Sequence, residues 1–258
     1  MDKFTLSDDQ WYQIERVLPR PIKQSGGPGR PICDFVEVFE GIVWVLVSGA
    51  RWKDLPFEYP SYQTCHRRFQ QWAQSNVFRQ LLINVVRESA SKGKVALSET
   101  YIDGSFILAK RGGGLIGKSF KGRGSKLIAL LDRKGVLHSM EMTSANRHDV
   151  SLVTACLSNR LTRRKPQRMI GDKAFDSDPM DRKLRAKGII LIAPDRDCKL
   201  RPTQDRRSLK RMKRRWTIER YFARIKNYRR VAIRWNRKPE NYLAMVQLAC
   251  LLTAFTGF

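Results

Sequence analysis

The chain has 258 residues and 42% hydrophobic content, enough for a packed core in one large domain or two small ones, so a mainly disordered chain is excluded. Fifty lysine and arginine residues against 24 aspartate and glutamate residues give a net charge of +26, which attracts polyanions and favours nucleic acid as the partner. The five cysteines lack paired spacing, and no apolar segment reaches the roughly 20 residues of a bilayer span, so a zinc knuckle, a disulfide framework and a membrane anchor are not expected. These exclusions predict a cytoplasmic protein.

The first part of the chain has helix signals. Ser7 with Gln10 forms a capping box that predicts a helix over 8–18, and Asp34 is the expected cap of a helix over 34–48. The glycine- and proline-rich stretch 26–31 between them is predicted to be a linker.

A third helix is expected to begin near Ser61. A helical repeat would place Tyr62, Cys65, Phe69 and Trp72 on one face. Arginine and glutamine side chains suit bidentate contacts with guanine and adenine edges. The candidates for base contacts on the other faces are Gln63, His66, Arg67 and Gln70. An ordinary solvated helix face explains the same pattern.

From about residue 99 the pattern becomes strand-like. We expect three strands at 99–109, 126–132 and 136–143, the last two joined as a hairpin, followed by a helix at 149–159. Strand, helix, strand and helix then follow at 168–172, 178–187, 189–193 and 208–230. This order indicates an α/β mixed sheet whose first part is antiparallel and whose second part is parallel.

Three carboxylates stand in apolar or aromatic surroundings: Asp103, Asp172 and Glu219. Burying a carboxylate is costly unless a cation or hydrogen-bond donors compensate it. A right-handed crossover would bring the strand of Asp172 beside that of Asp103, and the late helix would supply Glu219 from its packed face. The alternative is that the aspartates cap strand ends while Glu219 pairs with Arg215 or Arg220.

Three oxygen ligands with open positions suit Mg²⁺ or Mn²⁺. Two ions roughly 3.5–4 Å apart would serve phosphodiester cleavage or transfer. The charge distribution agrees, since residues 160–238 contain 28 basic and 8 acidic residues around Asp172 and Glu219. The sequence therefore predicts a two-ion phosphate chemistry at these carboxylates.

Over nearly its whole length the chain resembles the bacterial insertion-sequence transposases of the DDE class. The resemblance is carried by the Ser-Gly-Ala-Arg-Trp-Lys-Asp-Leu-Pro segment at 48–56, by the Arg-Arg-Phe-Gln-Gln-Trp segment at 67–72, by Asp103, by the segments 146–149 and 171–176, and by a Tyr, Arg, Glu, Lys signature. Arg215, Glu219 and Lys226 match the last three members of this signature, and Met212 stands at its tyrosine position.

The resemblance implies a ribonuclease H-like catalytic domain over 96–258, with a mixed five-stranded sheet flanked by helices, after a small all-helical DNA-binding region over 1–95. Asp103, Asp172 and Glu219 would be the catalytic and metal-binding residues. The candidates for contacts with DNA phosphates are Arg215, Lys226, Arg220 and Lys173.

The implied function is DNA transposition in a bacterial, nucleoid-associated setting. The enzyme would bind the terminal inverted repeats of an element in double-stranded DNA, nick at their ends, and direct a freed 3′-hydroxyl at target DNA, as a homodimer on paired ends. Two alternatives remain: a ribonuclease H-like nuclease without strand transfer, and a transposase-derived DNA-binding repressor.

Two further segments have open interpretations. The glycine-rich, basic stretch 110–126 is either a loop that becomes ordered on DNA phosphates or a flexible surface hairpin. The pair His148 and Asp149 either positions a phosphate or water near the site, or supplies Asp149 as the cap of the next helix.

Overall fold

The computed structural model describes residues 6–19, 33–196 and 209–256, and the predicted linker at 26–31 lies outside these ranges. The helices are α1 (Asp8–Glu15), α2 (Phe35–Ser48), α3 (Tyr62–Gln74), α4 (Val77–Ser91), α5 (Asp149–Ser158), α6 (Asp178–Arg185), α7 (Trp216–Lys226), α8 (Arg229–Ala232) and α9 (Pro239–Phe255). The strands are β1 (Thr100–Ala109), β2 (Gly117–Ser119), β3 (Gly122–Asp132), β4 (Leu137–Ser144), β5 (Arg168–Ile170), β6 (Ile190–Ile192) and β7 (Ile233–Arg234).

The first helices begin at the predicted caps. The Ser7 side chain accepts a hydrogen bond from the Gln10 N–H while the Gln10 side chain accepts one from the Ser7 N–H, which completes the capping box. Asp34 accepts from the N–H of Val36, and Gly49 ends α2 in the left-handed conformation with φ of 72°. Helix α1 ends three residues earlier than expected.

Helix α3 begins after its cap Ser61 and buries Cys65, Phe69 and Trp72. Tyr62 lies on the same face of this helix as expected, but its side chain is 40% exposed. Tyr62 is the first residue of the helix, and a helical side chain leans toward the N-terminus, so this ring extends past the end of the packed face.

The predicted α/β ribonuclease H-like sheet is present. Its five main strands lie in the order β4-β3-β1-β5-β6, with β3 antiparallel to both β1 and β4, and with β5 and β6 parallel to β1. The expected β3–β4 hairpin turns at Gly135, whose φ is 82°. The short strands β2 and β7 enlarge the sheet to seven strands.

One edge of β1 is only partly paired. Strand β5 pairs with Thr100 and Tyr101, and β7 pairs with Leu108 and Ala109, so within the described ranges the stretch 102–107 has no strand partner on this side. Asp103 lies in this gap.

Helices cover both faces of the sheet. The face that carries Tyr101 and Ile107 packs into the main core, which also contains side chains of α2, α3, α4, α7 and α9. The face that carries Ile102 packs into a second core with α5 and α6. Both predicted regions, 1–95 and 96–258, therefore contribute to the main core. None of the helices in the described ranges is both long and apolar enough to cross a membrane.

Candidate active site

Asp103 lies on β1 at the gap in the sheet. Its side chain is only 16% exposed, and its Oδ1 accepts a hydrogen bond of 2.8 Å from the Gly104 N–H. Burial raises the pKa of Asp103 to about 6, against the opposing effects of Arg215 and of the Gly104 hydrogen bond, and Asp172 and Glu219 raise it further. This carboxyl therefore carries an electrostatic cost that a divalent cation would relieve.

Asp172 follows the end of β5. It caps a 3₁₀ turn, Lys173–Phe175, by accepting a hydrogen bond of 2.9 Å from the Ala174 N–H. Because β5 runs parallel to β1 and begins its pairing at Thr100, the chain beyond β5 returns beside Asp103. The predicted convergence of the two aspartates thus follows from the sheet register.

Arg196 holds the turn that carries Asp172. Its guanidinium donates to the carbonyl oxygens of Lys173 and Ala174 at 3.4 and 3.2 Å, and its N–H donates to Asp176 at 2.9 Å. The sequence gives no local signal for this role, since Arg196 lies more than 20 residues after the turn it supports.

Glu219 lies in the first turn of α7, and its side chain is 56% exposed. The prediction that it lies on the packed face of a continuous helix is wrong. A 3₁₀ segment, Lys210–Arg214, precedes α7, so the helical repeat cannot be extended back to Met212. The buried face of α7 consists of Thr217, Ile218, Tyr221, Phe222 and Ile225.

The Arg215 guanidinium brings the three carboxylates together. Its nitrogens lie 2.8 Å from Glu219 Oε1, 3.7 Å from Asp103 Oδ2 and 3.6 Å from Asp172 Oδ2. The predicted pairing of Glu219 with Arg215 is therefore present together with the convergence of all three acids. Met212, at the tyrosine position of the signature, is half-buried and packs against the main core.

These residues fit a divalent cation by the chemistry of their donors, since three carboxylates from three elements face one position that a cationic group already occupies. Across residues 6–19, 33–196 and 209–256, no acidic, histidine or cysteine side chains are gathered closely enough to form a ready metal cluster. Arg215 stands among the carboxylates instead, so ion binding requires the guanidinium to move or to share them.

The predicted phosphate contacts have different surroundings. Lys226 is half-buried, its Nζ donates to the Phe106 carbonyl oxygen at 3.4 Å, and burial lowers its pKa. Arg220 stacks on the Trp216 ring, with its guanidinium carbon 4.2 Å from the ring centroid. Lys173 is exposed in the turn after Asp172.

The base-contact candidates lie apart from the carboxylates, on α3. Gln63 and Arg67 are exposed, whereas Gln70 is half-buried. His66 lies against Trp52 with 4.8 Å between the ring centroids, and burial lowers its pKa. Gln63 and Arg67 are therefore the most accessible of the four.

A second charged pair adjoins the site. Lys126 Nζ lies 2.5 Å from Asp149 Oδ1, and both side chains are less than 20% exposed. The prediction that Asp149 caps α5 is wrong, because the cap position belongs to His148 and Asp149 is the first helical residue. A side chain at position 104 would meet Asp149 Oδ1 at 3.1 Å, which explains the glycine there.

Known families match both halves of the chain. Residues 97–254 match the family described as transposase DDE domain, and residues 6–82 match transposases of the IS4/5 family. The insertion element IS402 uncharacterized 16.2 kDa protein of Burkholderia cepacia is 31% identical over 122 residues, which are 46% of this chain and 83% of that protein. The transposase for insertion sequence element IS402 of the same organism is 30% identical over 137 residues, which are 50% of this chain and 62% of that protein.

A solved structure supports the fold. The piggyBac transposase, determined as a synaptic complex with hairpin DNA, aligns with a TM-score of 0.55 at 11% identity, over 93% of this chain and 69% of that one. The DDE-domain match alone spans more than half of the chain. The protein therefore belongs to the insertion-sequence transposases with a DDE domain.

Proposed function

We propose that this transposase binds the terminal inverted repeats of its element and cleaves and joins DNA with Asp103, Asp172 and Glu219 as catalytic and metal-binding residues. One observation carries the proposal: a single guanidinium, that of Arg215, lies within 3.7 Å of all three carboxylates, although they come from three separate elements. A purely structural cap or ion pair would need only one of them.

The ions would be Mg²⁺ or Mn²⁺, two in number, and Asp103, Asp172 and Glu219 would hold them. When bound, they supply activation of the attacking oxygen and stabilisation of the leaving oxygen in an in-line displacement. Arg215 keeps the carboxylates together before the ions bind. We assign contacts with DNA phosphates to its guanidinium together with Lys226, Arg220 and Lys173.

Double-stranded DNA is the proposed partner, and the cytoplasm with its nucleoid is the proposed location. The piggyBac transposase, which shares the fold, was solved with DNA. We assign repeat recognition to the helical region 1–95, through Gln63, His66, Arg67 and Gln70 of α3. Two copies acting on paired ends would bring both element ends to one target.

The test is nicking of a duplex that carries the genomic repeats flanking the coding sequence, with Mg²⁺ or with EDTA. We expect Mg²⁺-dependent nicking by the wild type. Asp172→Asn should lower its rate by more than the roughly 10–100-fold typical of residues that only support a metal ligand. Asp9→Asn, the same chemical change at an exposed position of α1, is the matched control and should nick normally.

A second assay separates the alternatives. A pre-cleaved end with a free 3′-hydroxyl is supplied with target DNA, and joined product is expected. Nicking without joining would identify a nuclease. Repeat binding that needs no ion and gives no nicking would identify a repressor, and retained nicking by Asp172→Asn would overturn the catalytic assignment.

A further inference from the structure

A basic groove opens beside Asp172, on the side of the sheet opposite Arg215. Its volume is about 580 Å³, and it lies between the β2–β3 hairpin and the loop that precedes α5. The cations that line it are Lys118, Lys121, Lys126, Arg147 and Arg196. A groove that ends at a candidate catalytic carboxylate is placed to hold the part of the substrate next to the reacting phosphate.

The charge of the groove favours a phosphate backbone. The two carboxylates that line it are Asp149 and Asp172. Asp149 is already paired with Lys126, whose Nζ also donates to the Arg147 carbonyl oxygen at 2.8 Å. Of the other cations, Lys118, Lys121 and Arg147 are exposed and give the groove a positively charged wall for a polyanion.

The tip of the hairpin presents an aromatic ring to this groove. Phe120 is 95% exposed and, with Lys121, forms the two-residue turn between the paired residues Ser119 and Gly122. The Ser119 hydroxyl accepts from the Lys121 N–H and donates to the Gly122 carbonyl oxygen, both at 3.2 Å, which braces the turn. The Lys121 ammonium lies 5.3 Å from the centre of the Phe120 ring.

The hairpin is seated firmly against the opposite wall. A side chain at Gly117 would place its first carbon 2.4 Å from Asn146 Oδ1 and 2.9 Å from Asn146 N. Only glycine permits this approach, so strand β2 packs directly against the loop after β4. Phe120 is therefore an exposed ring on a hairpin that contacts the far wall of the groove.

We propose that this groove binds an unpaired segment of a DNA strand next to the carboxylates, with one base stacked on Phe120. The inference rests on the proposed function and deepens it by assigning a substrate conformation. A positively charged track with an adjacent aromatic ring is the arrangement by which proteins hold single strands, because every base has a face that can stack. In an intact duplex the neighbouring base pairs already cover these faces.

The experiment compares the affinity for a duplex that contains a three-nucleotide unpaired bubble with the affinity for the fully paired duplex of otherwise the same sequence. The wild type should prefer the bubble. Phe120→Ala should reduce this preference by about fivefold or more, the loss expected for one stacked base, and Phe120→Tyr should retain it. Phe57→Ala, which removes a ring that is 97% exposed on another part of the surface, is the matched control.

A second measurement locates the base. With 5-iodouracil in the bubble, irradiation should cross-link the strand to the peptide that contains Phe120, and Phe120→Ala should lose the cross-link. Thermal melts check that both phenylalanine variants remain folded. The inference is overturned if the wild type has no bubble preference, or if Phe120→Ala keeps both the preference and the cross-link.

Failure of the inference can be told from failure of the proposed function. If the wild type nicks in Mg²⁺ while Phe120→Ala binds the bubble as the wild type does, the groove assignment fails and the catalytic one stands. If a Phe120-dependent preference is found without any nicking, the catalytic assignment fails and the groove assignment stands.

Discussion

Arg215 sets the charge balance among the residues of the candidate site. One guanidinium faces three carboxylates, so the cluster retains negative charge after this pairing. Asp103 bears most of the electrostatic cost of burying these negative charges, because it is the least exposed of the three acids. The site therefore favours additional positive charge, and the dependence of folding stability on pH should show the cost of leaving Asp103 ionised without it.

The Asp103→Asn variant tests the free-energy cost of burying the ionised Asp103 carboxylate. The pKa of Asp103 is about 6 in the folded chain against an ordinary value of 3.8, so the folded state binds its proton more tightly than the unfolded state does. The resulting stability is complete below pH 3.8 and is lost as the pH rises through 6. In EDTA, Asp103→Asn should gain stability over the wild type between pH 4 and pH 7, by on the order of 2 kcal/mol in urea unfolding.

Magnesium should reverse this comparison. If Asp103 is a metal ligand, Mg²⁺ will raise the stability of the wild type and leave Asp103→Asn nearly unchanged, because only the wild type binds the ion in its folded state. Equal responses of the two proteins to Mg²⁺ would remove Asp103 from the ligand set. A pH-independent difference between them in EDTA would contradict the burial cost.

The sequence predicts which residues form the candidate site better than it predicts their exposure and their contacts. Asp103 and Asp172 were identifiable because each stands beside a strand-like apolar run, and the sheet brings them together as expected. The exposure of Glu219 was not predictable from a helical repeat, because a 3₁₀ segment precedes α7 and shifts its face. Arg196 acts on a turn distant in sequence, so no local pattern identifies it.

Among the elements, the loop between β1 and β2 depends on a buried arginine. Arg234 of β7 is 0% exposed, and its guanidinium donates to the carbonyl oxygens of Gly114 at 2.7 Å and Leu115 at 3.3 Å and to the Ser125 hydroxyl at 2.6 Å. The glycine-rich stretch 110–126 is thus tied to the sheet on one side and carries the Phe120 hairpin on the other. Periodicity cannot predict this, because β7 comes from more than 100 residues later in the chain.

Arg234→Met should release this loop. The variant leaves several carbonyl oxygens without their donor, and each buried acceptor left unsatisfied costs about 1–3 kcal/mol. We expect a lower melting temperature and faster amide hydrogen exchange in residues 110–119. Arg237→Met, which removes an exposed guanidinium three residues later, is the control and should change neither measurement. Unchanged exchange in Arg234→Met would mean that the hairpin is held by the sheet alone.

Helix starts were the best-predicted features of the elements in the first part of the chain, because capping side chains act within three residues. Ser7 and Asp34 cap the helices expected of them, and Ser61 caps the helix that was expected to begin near it. The single helix predicted over 208–230 was less accurate, since the described part contains a 3₁₀ segment, α7 and α8 in succession. Strands β2 (Gly-Lys-Ser) and β7 (Ile-Arg) were missed because they lack the apolar run that marks the equally short strands β5 and β6.

For the whole molecule, the net charge of +26 predicts DNA binding that weakens steeply with salt. Each phosphate contact contributes about 0.9 to the slope of log affinity against log salt concentration. A steep dependence of affinity on salt is expected both from a diffuse positive field and from a localised DNA interface. Substitutions of single arginines distinguish these two cases.

Arg220→Gln and Arg133→Gln make this separation, because each removes one exposed arginine charge. Arg220 lies next to Glu219 on α7, whereas Arg133 lies in the β3–β4 turn at the end of the sheet where β1 begins. If phosphates bind around the carboxylates, Arg220→Gln will lower the slope by about 0.9 for any duplex sequence and Arg133→Gln will leave it unchanged. Equal reductions in salt-titrated fluorescence anisotropy would show that the charge acts as a general field, and the interface would then have to be sought away from the candidate site.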